Sequence, residues 1–197
     1  GRSRKLAHRL AESARQSGVA AEAIDLAAYD VDQLIDVACA AFVLPTYAEG
    51  SAPEGYAAVL EQLQQNASDF RVSKASLASL RYTIFGLGNS EYPPLHFNAV
   101  ARRADRALRT MGAVRVVRRC DGDDIDNLLE EQFDSWVRKV LPAMRAQQRR
   151  FEATQEEGGE EGGEEADSDE EADDGDGSGG APALVDLEDL GSAMHRR

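Results

Sequence analysis

Between Phe151 and Gly180 the sequence has no lysine and no arginine, only fourteen acids running from Glu152 to Asp176. The formal charge of −14 therefore belongs to that segment, because the other 22 acids balance all 22 Lys+Arg residues. The low pI of about 4.6 describes a tail and not a fold. Cysteine is scarce as well: Cys39 and Cys120 are too few for a disulfide framework or a four-thiolate metal site. Any [4Fe–4S] cluster would need ligands from elsewhere. The three histidines, His8, His96 and His195, have no nucleophile or metal partner at a telling spacing. No apolar run approaches the ~18 residues of a membrane span, and the first residues carry no signal-peptide core. These absences predict a soluble, cytoplasmic chain with no membrane partner, no metal site and no catalytic triad.

What is present over residues 1–150 is an alternation of two hydrophobic periods, the pattern of an α/β domain. Leu6, Leu10 and Ala14 make one stripe of a helix over Ser3 to Gln16. A short strand is predicted at Ala21 to Asp25 and a weak helical stretch at Val31 to Ile35. Val37 to Leu44 is a continuous apolar run of strand length, as in a parallel strand covered on both faces. A helix over Gly55 to Gln65 and a strand over Arg81 to Phe85 follow. Phe97, Ala101, Ala104, Leu108 and Met111 recur at helical spacing, Ala113 to Val117 reads as a strand, and Asn127 to Leu141 as the last helix. A helix followed by four strand–helix units makes a doubly wound parallel sheet. Such a domain begins with a strand before its first helix; here that helix follows Gly1 directly, so the first strand is expected to be missing.

Open α/β sheets bind ligands outside the carboxyl ends of their strands. Three loops fall there: Pro45 to Gly50, Gly86 to Tyr92, and Cys120 to Asp124. The first two combine small residues, where backbone amides can approach a ligand, with Tyr47 and Tyr92. Two tyrosines at adjacent strand ends can hold a flat ring between them, each stacking contact contributing ~0.5–1.5 kcal/mol beyond burial. Asp121, Asp123, Asp124 and Asp126 precede a helix and read as solvated carboxylates at its amino end. Arg102, Arg103, Arg106 and Arg109 share one helix and read as its solvated outer face, so direct nucleic-acid binding is not expected of this part.

As a set, Thr46-Tyr47-Ala48-Glu49-Gly50, Phe85 through Tyr92 with His96-Phe97-Asn98, and Leu129 through Phe133 with Trp136 resemble the FMN domains of the flavodoxin and diflavin-reductase superfamily. A narrower resemblance lies in Asp69-Phe70-Arg71, Lys74, Leu77, Leu80-Arg81-Tyr82 and Arg118 through Asp123. With the acidic segment followed by Leu184 through Gly191, these residues are similar to the flavodoxin-like domain of the eukaryotic tRNA 4-demethylwyosine synthase family.

The resemblance implies a flavodoxin-like sheet of order 2-1-3-4-5, here without its first strand. It implies a flavodoxin-like FMN-binding domain over 1–150, a disordered acidic linker over 151–182, and over 183–197 the start of a segment leading to a radical-SAM domain. FMN would receive electrons from a reductase and pass them singly to the [4Fe–4S] cluster of that domain. The cluster cleaves S-adenosylmethionine, and the family thereby builds a tricyclic base in tRNA. This chain alone would not make the base. Tyr47 and Tyr92 would flank the isoalloxazine, with Thr46, Ala48, Glu49 and Gly50 lining the first loop. Gly86, Leu87, Gly88 and Asn89 would give main-chain contacts, Asp123 would sit near the third loop, and Gly1 would close the phosphate-binding turn. Ala48 stands where many flavodoxins have glycine, and alanine tolerates φ > 0 less well. Without the first strand this chain is expected to bind FMN weakly or not at all, and one extended upstream to bind it. The alternatives are the FMN half of a diflavin reductase and a flavin-free interaction module.

Overall fold

The computed structural model describes residues 1–125, 128–158 and 183–186. Helix α1 (Arg2–Gln16) precedes β1 (Glu22–Asp25), and two 3-10 turns at Leu26–Ala28 and Val31–Asp36 lead to β2 (Cys39–Pro45). Then come α2 (Glu54–Ser68), β3 (Arg81–Gly88), α3 (Ala99–Thr110), β4 (Val114–Arg115), β5 (Cys120–Asp123), α4 (Leu129–Gly158) and β6 (Ala183–Asp186). The spatial order is β1-β6-β2-β3-β4, with β5 pairing β3 beyond β4, and every pair is parallel. The doubly wound, flavodoxin-like sheet read from the sequence is present.

Both apolar faces of the sheet are covered, which is why β2 reads as an unbroken apolar run: all seven of its residues are buried. Ala40, Phe42 and Leu44 face a cluster shared with α2, α3 and the 3-10 turns. Cys39, Ala41 and Val43 face α1 and α4 on the other side. There Phe85, Phe133 and Trp136 form a ring cluster with centroids 5.0–5.7 Å apart. The Arg9 guanidinium lies 4.7 Å from the Phe133 centroid while its nitrogens reach Glu130 and Asp134.

Three expectations change. The central position of the sheet is not empty. β6 lies there, pairing Ala183–Asp186 with Glu22–Asp25 on one side and Ala183–Val185 with Ala40–Phe42 on the other. A buried gap between two strands leaves two rows of backbone groups without partners, and a four-residue extended segment satisfies much of both. Residues 187–197, expected to lead into another domain, lie outside the described residues. Second, α4 runs to Gly158, eight residues into the span expected to form the linker. Phe151 to Glu157 is rich in Glu, Gln and Ala, so extending an existing helix costs little, and Gln148 Nε2 donates to Glu152 Oε1 one turn on. Residues 159–182 lie outside the described residues. Third, Cys120–Asp123 is a strand and not a loop, because pairing with Phe85–Gly88 outweighs its poor strand composition.

Burial also sets the thiol chemistry. Desolvation pushes the Cys39 thiol up to about 12, against a small opposing effect of Arg81. Cys120 is raised as well, by burial first and then by Asp121. Because the folded pKa is raised, the stability contributed by neutral Cys39 is complete below the ordinary thiol range of ~8.5 and is lost as pH rises toward about 12. Iodoacetamide at pH 8 is therefore expected to leave Cys39 unlabelled in the native chain and to label it fully in denaturant. Equal labelling rates in the two states, read by mass spectrometry, would refute this.

Candidate functional site

The carboxyl ends of β2, β3 and β5 meet at one end of the sheet and are tied to one another by hydrogen bonds. At the end of β2, the Tyr56 hydroxyl donates to Pro45 O at 2.5 Å. Thr46 is buried; its N–H donates to Leu87 O at 2.8 Å and its Oγ1 accepts from Val100 N at 3.3 Å. The loop is thus fixed at its root to both β3 and α3. Beyond that root it turns back, with Tyr47 N–H donating to Ser51 O at 2.9 Å and Gly50 N–H to Tyr47 O at 3.2 Å. The left-handed residues of this turn are Glu49 (φ 60) and Gly50 (φ 72), one and two positions after the alanine flagged in the sequence. Arg103 Nη2 donates to Gly50 O at 2.8 Å, so α3 holds the far side of the loop as well. Tyr47 projects from it 47% exposed, whereas Tyr56 in the next helix is buried.

The glycines at the end of β3 answer to Asn98, which the sequence motif includes without a role. Asn98 is fully buried, adopts φ 50 at the start of α3, and inserts its side chain at the seam between β3 and β5. Its Nδ2 donates to Gly122 O at 2.9 Å, while Oδ1 has no partner among the described residues. A Cβ at Gly86 would lie 2.3 Å from Asn98 Oδ1, and one at Gly88 2.9 Å from Nδ2. Gly86 and Gly88 therefore make room for Asn98. The signal was available in outline, since asparagine is the commonest non-glycine residue at positive φ and two alternate glycines on a strand leave one face bare. Only the fold shows that they coincide.

Asn89 closes an Asx turn, its Oδ1 accepting from Glu91 N at 2.8 Å, and Tyr92 N–H donates to Asn89 O at 3.1 Å. Tyr92 is half-buried. The Asn89 N–H itself donates to no described residue. Asp123 joins the second and third loops: its Oδ1 accepts from Ser90 N at 2.9 Å and Ile125 N at 3.2 Å. Its own N–H donates to Gln132 Oε1 at 2.8 Å. Burial opposes its charge, yet the hydrogen bonds from Ser90 and Ile125 prevail and hold its carboxyl below the usual range. Of the other acids in the run, Asp121 pairs with Arg119, and Asp124 pairs with Arg2 at the start of α1. Asp126 lies outside the described residues. Asp124 N–H also donates to Gly88 O at 2.9 Å, so the amino end of α1, where Gly1 is the N-cap without a side-chain cap, adjoins the β3 and β5 ends.

These contacts gather Gly1, Thr46, Tyr47, Gly50, Leu87, Asn89, Tyr92 and Asp123 around one end of the sheet. They form a shelf with an exposed tyrosine, a free amide, and a helix amino terminus that favours negative charge. Such a surface suits a flat, partly anionic ligand. Among the described residues no group of three or more acidic, histidine or cysteine side chains is placed to hold a metal ion, and no helix is long and apolar enough to cross a membrane.

Comparison with known proteins agrees with this arrangement. The sequence model described as flavodoxin matches residues 1–136. An S-adenosyl-L-methionine-dependent tRNA 4-demethylwyosine synthase of Oryza sativa subsp. japonica is 36% identical over 148 residues, which are 75% of this chain and 22% of that protein. An NADPH–cytochrome P450 reductase of Phanerodontia chrysosporium is 36% identical over 140 residues, 69% of this chain and 19% of that protein. The chain thus spans about a fifth of the length of these relatives. The flavodoxin of Streptococcus pneumoniae TIGR4 shares the fold, with a TM-score of 0.58 and 19% identity over 74% of this chain and 91% of that one. Strand order, the carboxyl-end shelf and the match over residues 1–136 converge on one conclusion: the chain belongs to the flavodoxin family.

Proposed function

We propose that this chain binds FMN across the carboxyl ends of β2, β3 and β5 and carries electrons for the [4Fe–4S] radical-SAM domain of a tRNA 4-demethylwyosine synthase. The observation that carries the flavin reading is the exposed Tyr47 on a loop braced by Thr46 and by the left-handed Glu49–Gly50 turn, beside the free Asn89 amide. Bound FMN would supply one- and two-electron redox chemistry, and the protein's part is to hold and orient it. Tyr47 and Tyr92 cover the ring from the two loops. Ala48, Glu49, Gly50, Leu87 and Asn89 line its edge through main-chain atoms. Gly86 and Gly88 act through Asn98, which keeps β3 and β5 together beneath the ring, and Asp123 fixes the Ser90 loop against β5. Gly1, at the amino end of α1, adjoins the place for the phosphate.

In this reading the electrons come from a cytoplasmic reductase. The cluster, S-adenosylmethionine and the tRNA base all belong to a domain outside this chain. The relatives' names support the synthase assignment. The reductase relatives keep a second reading open, in which this is the FMN half of a diflavin enzyme. A C-x3-C-x2-C run downstream would decide for the synthase, and a ferredoxin-reductase-like domain for the diflavin enzyme.

Flavin fluorescence quenching tests the binding itself, with this chain and with one carrying a further strand and turn ahead of Gly1. Saturable quenching is expected of the extended chain. Tyr47→Ala combined with Tyr92→Ala is expected to weaken it about ten- to a hundredfold, as two stacking contacts are lost. Quenching by neither chain would favour a flavin-free interaction module and end the electron-carrier reading.

A further inference from the structure

A second concave surface lies away from this shelf, on the outer side of α3 at the β4–β5 edge of the sheet. It encloses about 490 Å³ and is lined by Arg102, Asp105, Arg106, Arg109, Thr110 and Arg119. The sequence placed four arginines on one helix and read them as an ordinary solvated face. The fold brings three of them, Arg102, Arg106 and Arg109, together with Arg119 from the segment ahead of β5. Asp105 is buried beneath the concavity and accepts from Arg115 Nη1 at 3.0 and 2.9 Å and from Arg119 Nη1 at 3.2 Å. Arg119 is held a second time by Asp121, at 2.7 and 2.9 Å. Arg102 donates to the carbonyls of Pro94 and Leu95, which ties this surface to the loop carrying Tyr92. Arg106 and Arg109 are exposed, and their guanidinium groups have no hydrogen-bond or ion-pair partner among the described residues.

We propose that this concavity is a binding surface for the phosphodiester backbone of RNA, so that the domain contacts the tRNA directly as well as carrying electrons. The proposal rests on the tRNA-modifying reading above. Every cation lining it is arginine, whose planar fork matches phosphate oxygens bidentately. Arg106 and Arg109 stand one helical turn apart, ~5–6 Å between their Cβ atoms, a spacing close to that of successive phosphates on a strand. Arg119 is fixed in advance by Asp105 and Asp121, so little of its side-chain freedom is lost when an anion arrives. Charge alone would also admit an acidic polypeptide, such as the chain's own segment 152–176; the tRNA-modifying reading favours RNA.

The test is fluorescence anisotropy of labelled total tRNA, titrated with the full chain between 50 and 200 mM salt. A second version of the full chain has the fourteen acids of 152–176 replaced by the corresponding amides, which removes their competition. In each background, Arg106→Ala/Arg109→Ala is compared with Arg149→Ala/Arg150→Ala, an equal charge change on α4 across the sheet. The first pair is expected to weaken binding tenfold or more and to make the slope of log K against log salt shallower by about 1.5, as two phosphate contacts are lost. The second pair is expected to change neither. Equal losses from both pairs, or no tRNA binding in either background, would overturn the assignment. Displacement of the tRNA by polyglutamate at equal charge concentration would reassign the surface to acidic protein segments and overturn it too. FMN quenching by the same variants is expected to be unchanged, so a failure of the flavin reading and a failure of this one are read separately.

Discussion

Gly122→Ala is expected to be the most damaging single-atom change in the domain, lowering the thermal midpoint by about 6–12 °C for a loss of about 3 kcal/mol. A Cβ at this position would lie 2.7 Å from Gly86 O, 2.7 Å from Phe85 Cζ and 2.8 Å from Leu129 Cδ1. Two of these neighbours cannot move independently. Gly86 O belongs to the buried strand paired with β5, and Phe85 is wedged between Phe133 and Trp136. Relief therefore means prying β5 off β3, and Asp123, which joins the Ser90 loop to β5, would move with it. Gly86→Ala gives a useful contrast, because its closest clash is with a side chain, Asn98 Oδ1, at 2.3 Å. Asn98→Gly removes that side chain and keeps the left-handed backbone without strain. The double variant is expected to recover about 1 kcal/mol or more relative to the sum of the single changes. No such partner exists for Gly122→Ala. Differential scanning calorimetry checks both; a Gly122→Ala midpoint within a degree of the parent chain would show that the seam is not packed as described.

Asp105→Ala is expected to cost about 3 kcal/mol, read as a lower urea midpoint at unchanged slope. Asp105 is 5% exposed and serves three donors at once: the Tyr82 hydroxyl at 2.8 Å, Arg115 and Arg119. Truncating it leaves a buried phenol without its acceptor, Arg115 without a counter-charge, and Arg119 with Asp121 alone. The loss stays at the lower end for a buried charge network because the Arg115 and Arg119 side chains are 30% and 19% exposed, and water can take up part of the deficit. Asp105→Asn is expected to fall between, since the amide oxygen can still accept from Tyr82 while Arg115 loses its ion pair and Arg119 keeps only Asp121. The phenol offers an independent readout. Burial first, then the hydrogen bond to Asp105, raises the Tyr82 pKa well above the ordinary value. A raised folded pKa means that its contribution is complete below the usual phenol range of ~10 and is lost as pH rises beyond it. An alkaline absorbance titration is expected to show Tyr82 ionising only as the chain unfolds, and to show it ionising earlier in Asp105→Ala. Identical titrations for the two chains would sever Asp105 from Tyr82.

Hydrophobic periodicity by itself determined the class of the fold and nearly all of its elements. A run such as Val37 to Leu44 can be apolar throughout only if both faces are covered, and the spacing from Phe97 to Met111 can serve only a helix with one buried side. The loops at the strand ends were legible for the same reason, since they are where the periodic segments stop. Local patterning could not reveal partnerships between residues far apart in the chain. β5 has the composition of a loop and is a strand because β3 offers it a backbone ladder. Ala183–Asp186 is an isolated apolar patch in the sequence, and it is a strand because the gap between β1 and β2 leaves buried amides and carbonyls to be satisfied. The role of Gly86 and Gly88 could be seen only once Asn98 stood against them. Three of the four arginines on α3 became an organised surface only when the sheet edge brought Arg115 and Arg119 onto the same buried carboxylate, while Arg103 turned to the Gly50 carbonyl. Period is a property of neighbours in the chain, whereas hydrogen-bond satisfaction, steric room and charge pairing belong to neighbours in space, and only the tertiary structure decides which residues those are.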